Sequence, residues 1–282
     1  MRLILAFLAL LTPLGAADTL LILGAVPQEI VPLEQALAGR ADVIVEGIPC
    51  ETGTIAGHPV VLALTGVGKT NAALVTTAML LHWRPAAALM TGTAARIRRT
   101  IHTGDIIIAE ETVFHDAGSL TSTGMVQGKL DAGGHLVTTK WFSPTREKTD
   151  PFNFPDTPAW VRFAADVAKQ YTPPVVALDG QTYVPVVRTG RVTSGDLSGV
   201  TEAKIADIKA KVDPDLMEME SAGFAQVCLF FHVPHLVIRS GSNWAEERNN
   251  DDYLRLSPIA ARQAALFTRA LVEHLPAGSA KP

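Results

Sequence analysis

Short apolar runs that end on glycine alternate with longer stretches of helical spacing along most of the chain. Leu20-Leu21-Ile22-Leu23, closed by Gly24, reads as a strand buried on both faces. Ile30 to Leu37 has apolar residues at helical spacing. Val43-Ile44-Val45 and Val60 to Leu64 are strand-like, and the second runs into Gly66-Val67-Gly68. Thr70 to Trp83, rich in alanine and leucine, predicts a helix. Ala86 to Met90 is a second buried strand, Asp105 to Ala109 a third, and His235 to Ser240 the last. Helices are predicted over Ala203–Lys211, Ser221–Phe231 and Leu256–Leu275. Strands alternating with helices argue for an α/β fold with a largely parallel sheet.

Two stretches break the alternation. Arg2, the apolar run Leu3 to Leu14 and Gly15-Ala16-Ala17-Asp18 have the layout of a secretory signal peptide. Residues 1–17 are therefore expected to be a cleaved leader, with one domain over 18–282 and a periplasmic or secreted location. An uncleaved anchor running on through Val26 is the alternative. From about Ser119 to Val187 the chain places Trp141, Phe142, Phe152, Phe154 and Trp160 among prolines, glycines and charges. Only one short helix is expected there, near Trp160 to Tyr171. Such a loop is either a lid over a site or a surface insertion.

Composition narrows the functional classes. Hydrophobic residues make up 48% and charged residues 18% of the 282, which permits one large core. The formal charge of −4 lacks the basic excess expected of a nucleic-acid binder. Export would place Cys50 and Cys228 in an oxidising compartment, where they either pair or stay as two separately buried thiols.

Polar residues gather at predicted strand ends, where open α/β sheets bind ligands. Glu29 follows the first strand, and Ser242-Asn243 follows the last. Met217-Glu218-Met219-Glu220 sets two carboxylates before a helix, where they either cap it or grip vicinal sugar hydroxyls. Gly66-Val67-Gly68-Lys69-Thr70 looks like the tail of a phosphate loop, but Ala63 stands where the first glycine is required.

The order and spacing of these motifs resemble the nucleoside phosphorylase/nucleosidase superfamily, nearest its methylthioadenosine/S-adenosylhomocysteine nucleosidase branch. Besides those quoted, the resemblance rests on Thr91-Gly92-Thr93-Ala94, Gly104-Asp105-Ile106, His115-Asp116-Ala117, Ser194-Gly195-Asp196 and Arg239-Ser240-Gly241-Ser242-Asn243. It spans about Leu20 to Val272. It implies a single domain with a mixed central sheet flanked by helices, a small-molecule purine nucleoside as partner, and a homodimer. It implies no cofactor, no metal, and no membrane association once the leader is removed.

Residue by residue, Glu29 matches the carboxylate that activates water, and Glu220 the grip on the ribose 2′ and 3′ hydroxyls. Met219 packs on the sugar, and Thr93 falls near the nucleophile. Arg239 lies behind the site, and Tyr253 near the 5′ side. The related phosphorylases carry an arginine where this chain has Met90, so water is the expected nucleophile. A phosphate-dependent phosphorylase and a catalytically weak nucleoside-binding or storage protein are the alternatives.

Three positions depart from the branch. Asn243 replaces an aspartate that protonates the base, and the asparagine in 6-oxopurine phosphorylases makes hypoxanthine-type nucleosides a further substrate class. Leu197-Ser198 replaces an aromatic, and Thr91 to Arg96 lacks the extra glycines of the motif.

Overall fold

The computed structural model describes residues 18–122, 124–126, 128–130, 136–138, 140–246 and 250–282. The leader assigned to residues 1–17 lies outside them. Strand β1 (Leu20–Gly24) is buried at every position. Leu21 and Leu23 enter one hydrophobic cluster, Leu20 and Ile22 another. Side chains alternate across a sheet covered on both faces, which is why the run is uniformly apolar.

The main sheet has ten strands. β1 lies between β4 (His58–Leu64) and β5 (Ala87–Arg96), parallel to both. β2 (Ala38–Val45) and β3 (Ile48–Ile55) extend it outward from β4 as antiparallel neighbours. On the other side follow β6 (Ile106–Phe114), β7 (Asn153–Pro155), β8 (Val187–Ser194), β9 (Leu216–Glu218) and β10 (His235–Trp244). β10 pairs parallel with β5 and antiparallel with β6. β6, β8, β9, β5 and β10 therefore form a closed circuit of pairings. Helices α1 (Val31–Glu34), α2 (Lys69–Trp83), α3 (Pro158–Ala168), α4 (Glu202–Val212), α5 (Ser221–Phe230) and α6 (Asn250–Glu273) connect the strands.

Several expectations change. The sheet is mixed, as the resemblance implied, and not largely parallel. The helix expected over Ile30–Leu37 is only the four residues of α1, because the chain is already extended in β2 from Ala38, with Gly39 (φ +65°) at an irregularity of that strand. β3 and β8 escaped the hydrophobic pattern, since β3 carries Pro49 and Gly53 and β8 exchanges ions with its neighbours. Arg191 of β8 pairs with Glu111 of β6. α6 begins six residues before its expected start and runs through Pro258.

The 119–187 segment divides in two. Its first described part forms small two-stranded ribbons, while Phe152, Phe154 and Trp160 are buried in the core. Cys50 and Cys228 are both buried and free.

Candidate active site

The ends of β1, β5 and β10 converge with the β9–α5 corner on a cavity of about 440 Å³. That is enough for a small molecule the size of a nucleoside. Glu29, Thr93, Met219, Glu220, Ser242, Asn243 and Tyr253 all line it, so the structure brings together every site residue expected from the sequence. No described residue of the 119–187 segment lines it, so the lid reading is not supported there. The roof comes from Leu197, Ser198 and Gly199.

Glu29 sits on the one-turn helix Pro27–Glu29 after β1 and is almost fully buried. Its Oε2 accepts from Ala25 N–H (2.7 Å) and Val26 N–H (3.3 Å). Its Oε1 accepts from Thr93 N–H (2.8 Å) and from the Thr93 hydroxyl (3.0 Å). Four donors from two strand ends thus converge on one carboxylate. Gly92 makes this approach possible: a Cβ there would lie 2.7 Å from the Glu29 carboxyl carbon and 2.4 Å from Arg239 Nη1.

Arg239, on β10, is wholly buried behind the cavity. Its Nη2 lies 2.7 Å from Glu218 Oε2 and 3.4 Å from Glu220 Oε2, and its Nη1 lies 3.9 Å from Glu29 Oε1. Its Nε donates to the Ser221 hydroxyl. Three carboxylates thus share one guanidinium.

They do not share it equally. Glu218 also accepts from Glu220 N–H, Ser221 N–H, the Ser221 hydroxyl and the Ser194 hydroxyl. Burial alone would raise it, but Arg239 and these donors hold it below the usual carboxylate range. Among the described residues, Glu220 accepts only from Gly68 N–H (2.9 Å) and Arg239. Burial, and then the charge of Glu218, push it up to about 8. Sequence reasoning saw Glu218 only as half of a carboxylate pair. Its task is to hold Arg239 and the first turn of α5.

The contact between Glu220 and Gly68 depends on close helix packing. Gly223 of α5 lies against the Lys69 carbonyl, where a Cβ would come within 2.7 Å of the oxygen. In the loop once readable as a phosphate site, the amides of Gly68 and Lys69 therefore face the protein's own carboxylates.

Glu220 links stability to pH. A carboxylate whose folded pKa exceeds its unfolded value stabilises fully below the unfolded value and loses that contribution as pH rises through the folded one. The melting temperature of the wild type should therefore fall relative to Glu220→Gln between about pH 5 and about pH 9. Parallel melting curves across that range would show that Glu220 holds no such proton.

On β10, Asn243 Nδ2 donates to the Trp244 carbonyl (2.9 Å), which fixes the amide's orientation. Asn243 Oδ1 then faces the Ser242 hydroxyl at 3.0 Å. The amide can offer its second N–H to a ring nitrogen or a carbonyl oxygen, but it carries no acidic proton. Tyr253 lies near the N-terminus of α6, and one turn further along that helix the Ser257 hydroxyl accepts from Gln28 Nε2 (3.1 Å).

The chain is similar to known proteins over most of its length. Residues 19–273 match the phosphorylase superfamily. The chain is 31% identical over 256 residues to the 5′-methylthioadenosine/S-adenosylhomocysteine nucleosidase of Haemophilus influenzae (strain PittEE), covering 90% of this chain and 98% of the relative. It superposes on the Neisseria meningitidis nucleosidase of that name in complex with methylthio-immucillin-A, with a TM-score of 0.74 at 26% identity, covering 92% of this chain and all of the other. The Streptococcus pneumoniae MTA/SAH nucleosidase in complex with 8-aminoadenine gives 0.72 at 26% identity, covering 91% of this chain and all of the other.

Proposed function

The chain belongs to the phosphorylase superfamily, and we propose that it is a purine nucleosidase, hydrolysing the N-glycosidic bond of nucleosides such as methylthioadenosine and S-adenosylhomocysteine. The observation that carries the choice of water over phosphate is the seating of Glu29. Backbone amides at the ends of β1 and β5 form a cradle that suits an anion. Here the Glu29 carboxylate already fills it, using Ala25, Val26 and Thr93. A phosphate dianion would find these donors taken and a negative charge in place. Among the described residues, the cavity lining includes no arginine, and Arg239 behind it is engaged by three carboxylates.

The chemistry follows from the arrangement. Glu29 accepts a proton from water as its oxygen attacks the anomeric carbon. The Thr93 hydroxyl now occupies a lone pair of Glu29 Oε1, so it must turn away to admit that water. As the bond to the base lengthens, the sugar gains oxocarbenium character, which the Glu29 and Glu220 carboxylates stabilise. Glu220 in its ionised form accepts from two ribose hydroxyls, while Met219 packs beside the ring. The departing purine takes the bonding electron pair, meets the Asn243 amide, which donates a hydrogen bond without giving up a proton, and is protonated by solvent water. Asn243 thus also suits the 6-oxygen of hypoxanthine-type bases, which accepts where adenine's amino group donates.

The test is incubation with methylthioadenosine, adenosine, inosine and guanosine, with and without phosphate. Free base plus free sugar in both conditions is the expected outcome. Cleavage only with phosphate would establish a phosphorylase. Ligand binding without cleavage would establish a binding or storage protein.

Two further elements belong to this proposal. Leu74 and Leu81, seven residues apart on α2, are exposed, as are Val67 and Leu197 at the cavity mouth and Phe230 on the adjacent α5. An apolar surface beside the cavity suits a second copy of the chain, and light scattering should give twice the monomer mass. The leader over residues 1–17 supports export to the periplasm or beyond. N-terminal sequencing of the protein recovered from cells should begin at Asp18.

A further inference from the structure

Outside the sugar-binding carboxylates, three charged residues tie the cavity roof to α2. Lys69 opens α2, and its Nζ donates to Asp116 Oδ1 (2.5 Å) and lies 3.6 Å from Asp196 Oδ2. Its backbone N–H donates to Asp196 Oδ1 (2.9 Å). Asp196 N–H donates to Asp116 Oδ2 (2.8 Å), so each of the three contacts the other two. The preceding amide, Gly68 N–H, holds Glu220. Two consecutive amides at the helix start therefore hold the sugar-binding carboxylate and the loop that follows β8.

That loop places Leu197, Ser198 and Gly199 against the cavity and is tied at its far end by the bridge between Val200 and Glu246. None of the three carries an aromatic ring that could clamp a base by its own bulk. The shape of the roof depends on the backbone being held. Lys69, Asp116 and Asp196 themselves do not line the cavity.

We propose that Lys69 is a positioning residue which, through Asp116 and Asp196, latches loop 196–199 over the purine, so that this ring sets affinity for the base and not the rate of bond cleavage. The substrate in this statement rests on the nucleosidase reading above.

The charges give the latch a signature. Asp116 faces Lys69, Asp196 and the neighbouring His115. His115 faces Lys204 of α4 and Glu218 of β9 as well, and burial holds it down at about 4, so it is neutral near pH 7. Removing the ammonium leaves two carboxylates facing each other. Protonating one of them in mild acid lets a carboxyl–carboxylate hydrogen bond take over the link.

The experiment compares wild type, Lys69→Met, Lys69→Arg and Asp116→Asn. Readouts are KM, kcat, melting temperature and, by calorimetry, the dissociation constant for adenine or hypoxanthine, whichever binds the wild type more tightly. If the closed roof falls to about a tenth of the population in Lys69→Met, KM and the base dissociation constant rise about tenfold. The value of kcat should not change. The gap to wild type should narrow from about pH 8 to about pH 5, where carboxylates begin to protonate. Lys69→Arg should restore the affinity, and Asp116→Asn should move in the same direction as Lys69→Met. Unchanged base affinity in folded Lys69→Met and Asp116→Asn, or loss confined to kcat, overturns the latch. A wild type that cleaves no purine nucleoside overturns the nucleosidase reading instead, and the calorimetric comparison still decides the latch.

Discussion

Glu29→Gln should lower kcat for purine nucleoside hydrolysis by roughly 10²–10⁴-fold, the range associated with a lost general base. An amide cannot take a proton from water at neutral pH. It also cannot satisfy the cradle. Ala25 N–H and Val26 N–H point at one oxygen of Glu29, and Thr93 N–H points at the other. Glutamine offers a single acceptor, so in either orientation its NH₂ group faces a backbone donor. That mismatch should cost about 1–3 kcal/mol of stability, visible as a lower melting temperature. Binding of the free purine should persist, because the base end of the cavity is built from other residues. A variant that stays folded and retains activity within tenfold would remove Glu29 from the proton step. Glu29→Asp separates the two effects. It keeps a carboxylate but shortens its reach to Thr93, so it should recover some activity if the proton step is what Glu29 supplies.

The parts of this architecture legible in the sequence are those where one physical demand dominates. β1 is buried on both faces, so its run is apolar without interruption, and its end glycine marks where Glu29 begins. Six of the seven expected cavity residues lie at the ends of such strands or at the corner before α5, where the topology forces convergence, and Tyr253 comes from the start of α6. Less was legible where several demands compete. β8 alternates Arg188 and Arg191 with small residues, because it satisfies ions on β6 and in the turn before β9, and its hydrophobic pattern is weak. Glu218 and Glu220 are indistinguishable as letters. Four side-chain and backbone donors besides Arg239 separate them, all supplied by the fold. The phosphate-like loop before α2 is the reverse case. Its glycines were visible, but the ligands of its amides, Glu220 and Asp196, lie more than a hundred residues away.

Asn243→Asp should raise cleavage of adenine nucleosides, up to the roughly 10²–10⁴-fold that a positioned acid contributes. A purine departs most easily when N7 is protonated as the glycosidic bond breaks. In the wild type, Nδ2 of Asn243 lies 2.9 Å from the Trp244 carbonyl and donates to it. A carboxylate in the same rotamer would set an oxygen against that carbonyl, acceptor facing acceptor. Its other oxygen would still receive the Ser242 hydroxyl, which lies 3.0 Å from Oδ1. The repulsion at the first oxygen favours the protonated form, whose proton bridges to the Trp244 carbonyl, and a turn of the carboxyl group hands that proton to the base. The new proton is the one that the wild-type amide lacks. The effect should depend on the base. Adenine nucleosides gain most, while hypoxanthine nucleosides, which also accept from the amide at the 6-oxygen, gain less. The ratio of kcat/KM for methylthioadenosine to that for inosine is therefore the quantity to measure, and it should rise. A fall in both rates with base affinity intact would mean that position 243 does not touch the leaving group. A rise in both by the same factor would mean that an acid at position 243 serves the proton step alone, with no part in choosing the base.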